Sequence, residues 1–294
     1  MNILIAPNDY YIFPSMVLLR SLFDNTPLQE GDSWQVYILQ EGVTPNLLRQ
    51  LSQFIEGNGG FFHVVEIPAG AFDQAPISIH ITKSTYYRLL APFLLPREME
   101  RILYLDGDMV TIRAIQEFYQ TPFLGQEALV VCEGPGVSQK DFATYDRIGL
   151  SRERLYFNGG VLLMNLPKMR EILQTPQRLF DFIAAQIPKG LKYHDQDVLN
   201  AMFQNHVQYV DWHRWNQTVI HIQDAQEAAA RFQQAAILHY AGSSKPWQYN
   251  YSSWYFNEFW NVARKLSGGR RRYWKIMLLR YVWHLTNRMK RLFL

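Results

Sequence analysis

Arg101-Ile102-Leu103-Tyr104-Leu105-Asp106-Gly107-Asp108 is the stretch on which the fold turns. Its mostly apolar first five residues are too few for a helix, and they pass directly into two acids spaced by one glycine. A buried strand with polar residues at its carboxyl end belongs to open α/β sheets, where ligands sit beyond the strand ends. In extended chain, residues i and i+2 point the same way, so Asp106 and Asp108 can reach one cation, and Gly107 between them leaves room for close approach. Two carboxylates form the oxygen-rich set that Mg²⁺ or Mn²⁺ shares with phosphates. Asp-Gly is also a common turn dipeptide, and the triplet alone does not separate the two readings.

Outward from this stretch, apolar runs alternate with helical patterns. Strands are expected at residues 3–6, 34–39, 61–66, 128–132, 161–164 and 237–240. Helices are expected at 14–25, 45–55, 84–94, 167–185 and 195–203. Thr44-Pro45 supplies an N-cap and a first-turn proline, and Gly57-Asn58-Gly59-Gly60 stops the helix that they open. The pattern predicts an α/β domain over residues 1–266: a Rossmann-like mixed, mainly parallel sheet flanked by helices. Ser267-Gly268-Gly269 sets off a tail, 267–294.

The composition suits such a core, with 48% apolar and 19% charged residues. No apolar run reaches the roughly 18 residues that cross a bilayer. Residues 1–6 lack the basic start and the long apolar run of a signal peptide. One cysteine, Cys132, excludes an internal disulfide and fits a reducing cytoplasm; it reads as a small buried hydrophobe. After Glu258 there are ten basic residues and no acid. Without those ten, the 29 basic residues fall to 19 against 26 acidic, a balance of −7 for the body. The body therefore has no nucleic-acid-binding character.

Three further clusters carry polar chemistry. His239-Tyr240-Ala241-Gly242-Ser243-Ser244-Lys245-Pro246-Trp247 puts a histidine at a strand end before a glycine turn and a lysine, a set able to serve a metal and a diphosphate. An imidazole beside two carboxylates favours Mn²⁺ over Mg²⁺. Tyr193-His194-Asp195-Gln196-Asp197 opens a helix, either as a cap or as groups that bind sugar hydroxyls. Phe157-Asn158-Gly159-Gly160 offers an amide to a polyol and glycines for close approach.

Five segments occur together in the order seen in family 8 retaining glycosyltransferases. They are Ala6-Pro7-Asn8-Asp9-Tyr10-Tyr11, Leu103 to Asp108, Tyr156-Phe157-Asn158-Gly159-Gly160 through Leu166, His194-Asp195-Gln196-Asp197, and His239-Tyr240 through Lys245-Pro246-Trp247. Over about residues 1–260 the chain resembles that family, which includes glycogenin, and is most similar to its bacterial lipopolysaccharide galactosyl- and glucosyltransferases. The resemblance implies a GT-A fold, a UDP-sugar donor (UDP-glucose or UDP-galactose), and Mn²⁺ held by Asp106, Asp108 and His239. It implies Lys245 and the Gly242 turn on the diphosphate, and residues 6–11 (Ala6, Pro7, Asn8, Asp9 and Tyr11 among them) on uracil and ribose. It further implies Arg88 on the donor, and Asn158, Asp195 and Gln196 along the sugar. Relatives often have aspartate in place of Asn8, whose side-chain carbonyl would take the uracil N–H. A further sugar contact falls near Glu133-Gly134.

Retention ordinarily calls for a nucleophile on the opposite face of the sugar, and Gln196 and Asp195 are the nearest candidates. An amide oxygen is a poor nucleophile, which favours front-face attack, with Gln196 steadying the charge developing on the sugar. A sugar-nucleotide binder without turnover is the competing reading, and a complete metal clamp disfavours it. No glycine-rich phosphate loop follows the first strand, so a nucleotidyltransferase and a dinucleotide oxidoreductase are disfavoured as well.

In the tail, Trp274, Met277, Leu278, Tyr281, Leu285, Met289 and Leu292 recur at helical spacing among arginines and lysines. A basic amphipathic helix of this kind reads as peripheral binding to the anionic inner leaflet of the cytoplasmic membrane, where glycolipid acceptors are made. The alternatives are docking on the catalytic domain and a dimer contact.

Overall fold

The computed structural model describes residues 1–77, 82–133, 141–220 and 222–292. The first half runs β1 (Asn2–Ile5), α1 (Ile12–Asn25), β2 (Trp34–Gln40), α2 (Pro45–Glu56), β3 (Gly60–Glu66), α3 (Ala91–Leu94), β4 (Arg101–Leu105), β5 (Met109–Thr111) and α4 (Gln116–Tyr119). There follow β6 (Leu129–Glu133), α5 (Phe142–Ile148), β7 (Phe157–Asn165), α6 (Leu166–Leu173), α7 (Pro176–Gln186) and α8 (Asp195–Phe203). The chain ends with β8 (Val207–Val210), α9 (Trp212–Trp215), β9 (Gln217–Thr218), α10 (Ala225–Gln234), β10 (Ile237–His239), α11 (Phe256–Ala263) and α12 (Gly269–Leu292).

Seven strands form the main sheet in the order β3-β2-β1-β4-β7-β6-β8, and β5, β10 and β9 form a smaller one. In the main sheet β7 alone is reversed: it is antiparallel to both β4 and β6, and every other pairing is parallel. The expected mixed, mainly parallel sheet is therefore observed. Strand alternation divides the apolar side chains between two cores. Ile3, Ile5, Leu103, Leu105, Val161 and Leu163 face one; Leu4, Ile102, Tyr104, Leu162 and Met164 face the other. Helices cover both faces, so the central strands read as unbroken apolar runs. A third cluster, with Tyr240, Phe259 and Trp260, joins the small sheet to α11. Among the described residues no helix is long and apolar enough to cross a membrane.

Two expected elements differ. The helix expected over 84–94 is a 3₁₀ segment, Lys83–Leu90, that becomes α-helical only at α3. The helix expected over 167–185 is two helices. Pro176 disfavours helical geometry at Thr175, whose side chain instead caps α7 by accepting from Arg178 N. The break is closed by a tight turn at Gln174 (φ 63°, ψ −54°), across which Thr175 N donates to Leu173 O at 2.7 Å. That turn is rare and strained for a residue with a Cβ. Relieving about 1–3 kcal/mol of strain outweighs the roughly 0.5–1 kcal/mol entropic cost of a glycine. Gln174→Gly is therefore expected to stabilise the chain by about 1 kcal/mol, read as a higher urea midpoint at unchanged slope.

Candidate active site

β4 lies between parallel β1 and antiparallel β7, and its carboxyl end releases Asp106 into the crevice at this change of direction. Asp106 N donates to Gly160 O at 2.9 Å. Asp108 leads at once into β5, which pairs antiparallel with β10 so that His239 lies opposite Met109. Tyr240 N donates to Asp108 O at 2.9 Å. The register of the small sheet thus carries an imidazole from 131 residues away to the acid pair. His239 Nε2 stands 3.3 Å from Asp108 Oδ1 and 3.9 Å from Asp106 Oδ2. One ligand atom from each of the three residues falls within a 4.8 Å group.

The imidazole is held from behind. His239 Nδ1 meets Asn216 Oδ1 at 2.8 Å, and Asn216 Nδ2 donates to Asn158 Oδ1 at 2.9 Å. Both side chains are buried. With the Asn216 amide oxygen at Nδ1, Nε2 is the nitrogen turned toward the carboxylates, the one that a metal ion would take. Gly160 makes the approach possible. A Cβ there would lie 2.6 Å from His239 Cε1 and 2.8 Å from Asp106 Oδ2.

Two buried cations answer the acids. Lys245 Nζ donates to Asp108 Oδ2 and, at 2.7 Å, to Tyr240 O. Burial pushes the Asp108 carboxyl up, but Lys245 and His239 outweigh it and hold the group below the usual carboxylate range. Arg88 bridges Asp195 (Nε to Oδ2, 2.6 Å) and Asp106 (Nη1 to Oδ1, 3.1 Å), donates to Gly159 O and lies over the Tyr104 ring. Burial pushes Asp195 up, and Arg88 draws it back. Tyr104 Oη donates to Asp106 Oδ1 at 2.7 Å.

Gln196 Oε1 accepts from Gly159 N at 2.9 Å and from Asn158 Nδ2 at 3.2 Å, so the Asn158-Gly159-Gly160 segment and the start of α8 are one hydrogen-bonded unit. Asn158 is committed within it, since its Oδ1 also accepts from Gly160 N at 2.9 Å. His194, just before α8, has φ 55° and is braced by Pro76 O at 2.9 Å from Nδ1. Backbone strain of this kind clusters where a site is over-determined by its surroundings.

The 6–11 segment leaves the carboxyl end of β1 beside β4. Asn8 Oδ1 accepts from Tyr11 N at 3.1 Å and so serves the local turn, whereas Asp9 accepts from Thr44 N at 2.8 Å, tying the segment to the start of α2. The Tyr11 ring packs edge-on against Trp247 at 5.7 Å. Burial and then the charges of Asp108 and Asp106 push the Tyr11 phenol upward. The room beside Gly107 is filled by Ser15 and Tyr11 rather than open to a ligand, because a Cβ there would meet Ser15 Oγ at 2.6 Å. Gly242 has φ +90° at an exposed turn, a conformation suited to glycine. The contact expected near Glu133-Gly134 lies outside the described residues: Gly134 and the Glu133 side chain are not among them. Asn216, Tyr104 and Ser15 were not singled out from the sequence. Asn216 sits in Trp215-Asn216-Gln217, where no spacing rule marks it.

The profile of glycosyl transferase family 8 matches residues 2–251. Over 273 residues the chain is 24% identical to General stress protein A of Bacillus subtilis strain 168, covering 89% of this chain and 92% of that one. Over 274 residues it is 29% identical to a lipopolysaccharide 1,2-glucosyltransferase of Escherichia coli, covering 87% and 76% respectively. The solved galactosyltransferase LgtC, in complex with donor and acceptor sugar analogs, shares the fold at a TM-score of 0.77 and 23% identity, over 91% of this chain and 96% of that one. It supports the GT-A architecture.

Two outcomes follow from the geometry. Gly160→Ala is expected to keep the fold by circular dichroism but cost at least about 100-fold in metal-dependent turnover, because His239 and Asp106 are forced apart. A divalent cation held by Asp106, Asp108 and His239, at about 100 times its dissociation constant, would contribute roughly 2.7 kcal/mol. That amount should raise the melting temperature by about 5 °C in the unaltered chain. The rise should vanish in Asp106→Asn and shrink in Asn216→Ala.

Proposed function

This chain belongs to glycosyl transferase family 8, whose profile matches residues 2–251, and on that premise we propose that it is a Mn²⁺-dependent retaining hexosyltransferase. The donor is UDP-glucose or UDP-galactose, and the acceptor is a glycan or glycolipid such as lipopolysaccharide core. The observation that carries this reading is the approach of Asp106, Asp108 and His239 to within 4.8 Å of one another at the end of β4. Two carboxylates and one imidazole fit Mn²⁺ better than Mg²⁺, though Mg²⁺ can substitute. Similarity to a lipopolysaccharide 1,2-glucosyltransferase and a lipopolysaccharide 1,3-galactosyltransferase supports the acceptor class and leaves both hexoses in play.

When bound, a divalent cation supplies Lewis-acid charge beside the leaving diphosphate. The rest falls to the chain. Lys245 is a buried ammonium held at the acid pair, able to move from Asp108 to a phosphate oxygen once a cation takes over that carboxylate. The segment of Ala6, Pro7, Asn8 and Tyr11, with the exposed Gly242 turn on the other side, encloses the nucleotide. Arg88 keeps Asp195 and Asp106 apart and aligned. Neither candidate nucleophile is free. Both lone pairs of the Gln196 amide oxygen are already used, and Asp195 is tied into an ion pair. Front-face attack follows as the favoured course, with Gln196 positioned against the sugar and the departing phosphate taking the acceptor's proton.

Residues 267–294 are a tail on the 1–266 domain, and the proposed location is the inner face of the cytoplasmic membrane. In support, Trp274, Leu278, Tyr281 and Leu285 are 68%, 63%, 63% and 42% exposed. They form the apolar side of a helix otherwise rich in arginine and lysine. The side chains of Met289 and Leu292 lie outside the described residues.

UDP release from a panel of UDP-sugars with Mn²⁺ should show turnover with one hexose, abolished by EDTA. Asp106→Ala or Asp108→Ala should lose about 1,000-fold or more. Gln196→Ala should keep measurable turnover; trapping a covalent glycosyl-enzyme would refute front-face attack. In flotation, the full chain should rise with phosphatidylglycerol vesicles, and a chain lacking residues 270–294 should stay below. Equal recovery of both chains would end the membrane reading.

A further inference from the structure

A trough of about 850 Å³ lies away from the acid pair, between α1, α2 and α12. Each helix contributes a stripe at one-turn spacing: Phe13, Met16 and Arg20 from α1, Leu47, Gln50 and Phe54 from α2, and Arg272, Ile276 and Leu279 from α12. The volume falls within the roughly 300–1,000 Å³ of small-molecule sites. Its floor is apolar, and its two walls differ. The α2 wall is neutral, with Gln50 and Gln53, whereas the α12 wall carries Arg272 and Lys275; the one lining carboxylate, Asp9, is at the far end and bonded to Thr44. Neither of these two cations has a carboxylate partner among the described residues. Lys265 and Arg20, also at the rim, share Asp24.

An apolar floor with unneutralised cations along one wall selects a ligand that is both greasy and anionic. Arg272 is aimed inward: its guanidinium lies over the Phe13 ring at 4.5 Å. Lys275 follows three residues on, so both heads share one face of α12. A fork-shaped donor and a point charge at that spacing suit a phosphate monoanion. The trough also opens beside the exposed Leu278–Leu279 side of α12.

We propose that this trough binds a single anionic phospholipid, its phosphate between Arg272 and Lys275 and an acyl chain along Phe13, Met16 and Phe54. The trough meets the 6–11 segment only at its Asp9–Tyr10 end and shares α12 with the membrane reading. At its far end lie Tyr10 and Trp247, which pack together at 6.2 Å, with Tyr11 beyond them against Gly107. A bound lipid would therefore buttress the wall of the acid site from behind.

Calorimetric titration of the full chain with monomeric dihexanoyl-phosphatidylglycerol, below its micelle concentration, tests the site. One saturable binding event is expected. Dihexanoyl-phosphatidylcholine should bind about tenfold more weakly, and glycerol 3-phosphate not at all. Arg272→Ala with Lys275→Ala should weaken phosphatidylglycerol about tenfold, and Gln53→Trp, an exposed change that fills the trough, should abolish binding. UDP release should persist in both variants. Full binding by Gln53→Trp, glycerol phosphate binding as tightly as the lipid, or heat that never saturates would each overturn the proposal. Saturable monomer binding without vesicle flotation would sustain it and remove only the membrane reading.

Discussion

Two carboxylates set two residues apart at the end of a strand repel each other, and the rest of the site is arranged around that fact. At about 4 Å and an effective dielectric of 20, a pair of like charges costs roughly 4 kcal/mol. Here Asp108 is buried and Asp106 only partly exposed, so solvent relieves little of it. Lys245 reaches Asp108, Arg88 reaches Asp106, and His239 stands between the acids. Each of these groups comes from a different element: a 3₁₀ segment, a late turn and the last strand of a second sheet. The protein holds together a cluster in which each acid has a cation within reach, and Asp106, Asp108 and His239 would form a strong ligand set for a metal. Such an arrangement would favour exchange: were a cation held by the acids, Lys245 would be free for an incoming anion.

Exchange demands that the framework not move when the charges do. The hydrogen-bonded chain His239–Asn216–Asn158–Gln196 supplies that rigidity. It fixes the orientation of the imidazole at one end and of the Gln196 amide at the other. Asn158 is therefore the joint between the His239 end and the Gln196 end. Gly159 and Gly160 serve the same end. With any side chain at Gly160, the acid and the imidazole could not share one space.

Much of this was legible in the sequence where a physical rule acts over a few residues. Alternation in 101–108 places both acids on one side, and the proline and glycine signals bound α2 closely. The sheet's apolar runs identify its central strands. Legibility failed where the cause lies far away in the chain. β10 is expected, at 237–240, but its neighbours, the two-residue β9 and the three-residue β5, are too short to show a period, and their register is what delivers His239. Asn216 is an unremarkable amide until Ile237–His239 lies beside it. The break between α6 and α7 was readable in part, since Thr175-Pro176 states it; the apolar periodicity on both sides masked it. Gly107 shows the converse error. Its smallness reads as space for a ligand, but Ser15 from α1 occupies that space.

The tail shows how one helix can satisfy two opposed readings at once. Its first turns dock: Tyr273 packs on Trp260, Arg280 donates to Tyr251 O, and Arg272 covers Phe13. Yet Trp274, Leu278 and Tyr281 remain exposed on the same helix, because a face of about 100° is enough for docking and leaves the remainder outward. Seating on the body through a narrow stripe leaves a gap against α2, which α12 does not reach. Lining that gap with apolar residues costs free energy in water, at about 25 cal/mol for each Å² left wet. The arginine and lysine on its rim add further unneutralised charge. A helix whose only task was to cap the domain would close the gap and pair those cations. One that must meet an anionic, apolar phase has reason to leave both open.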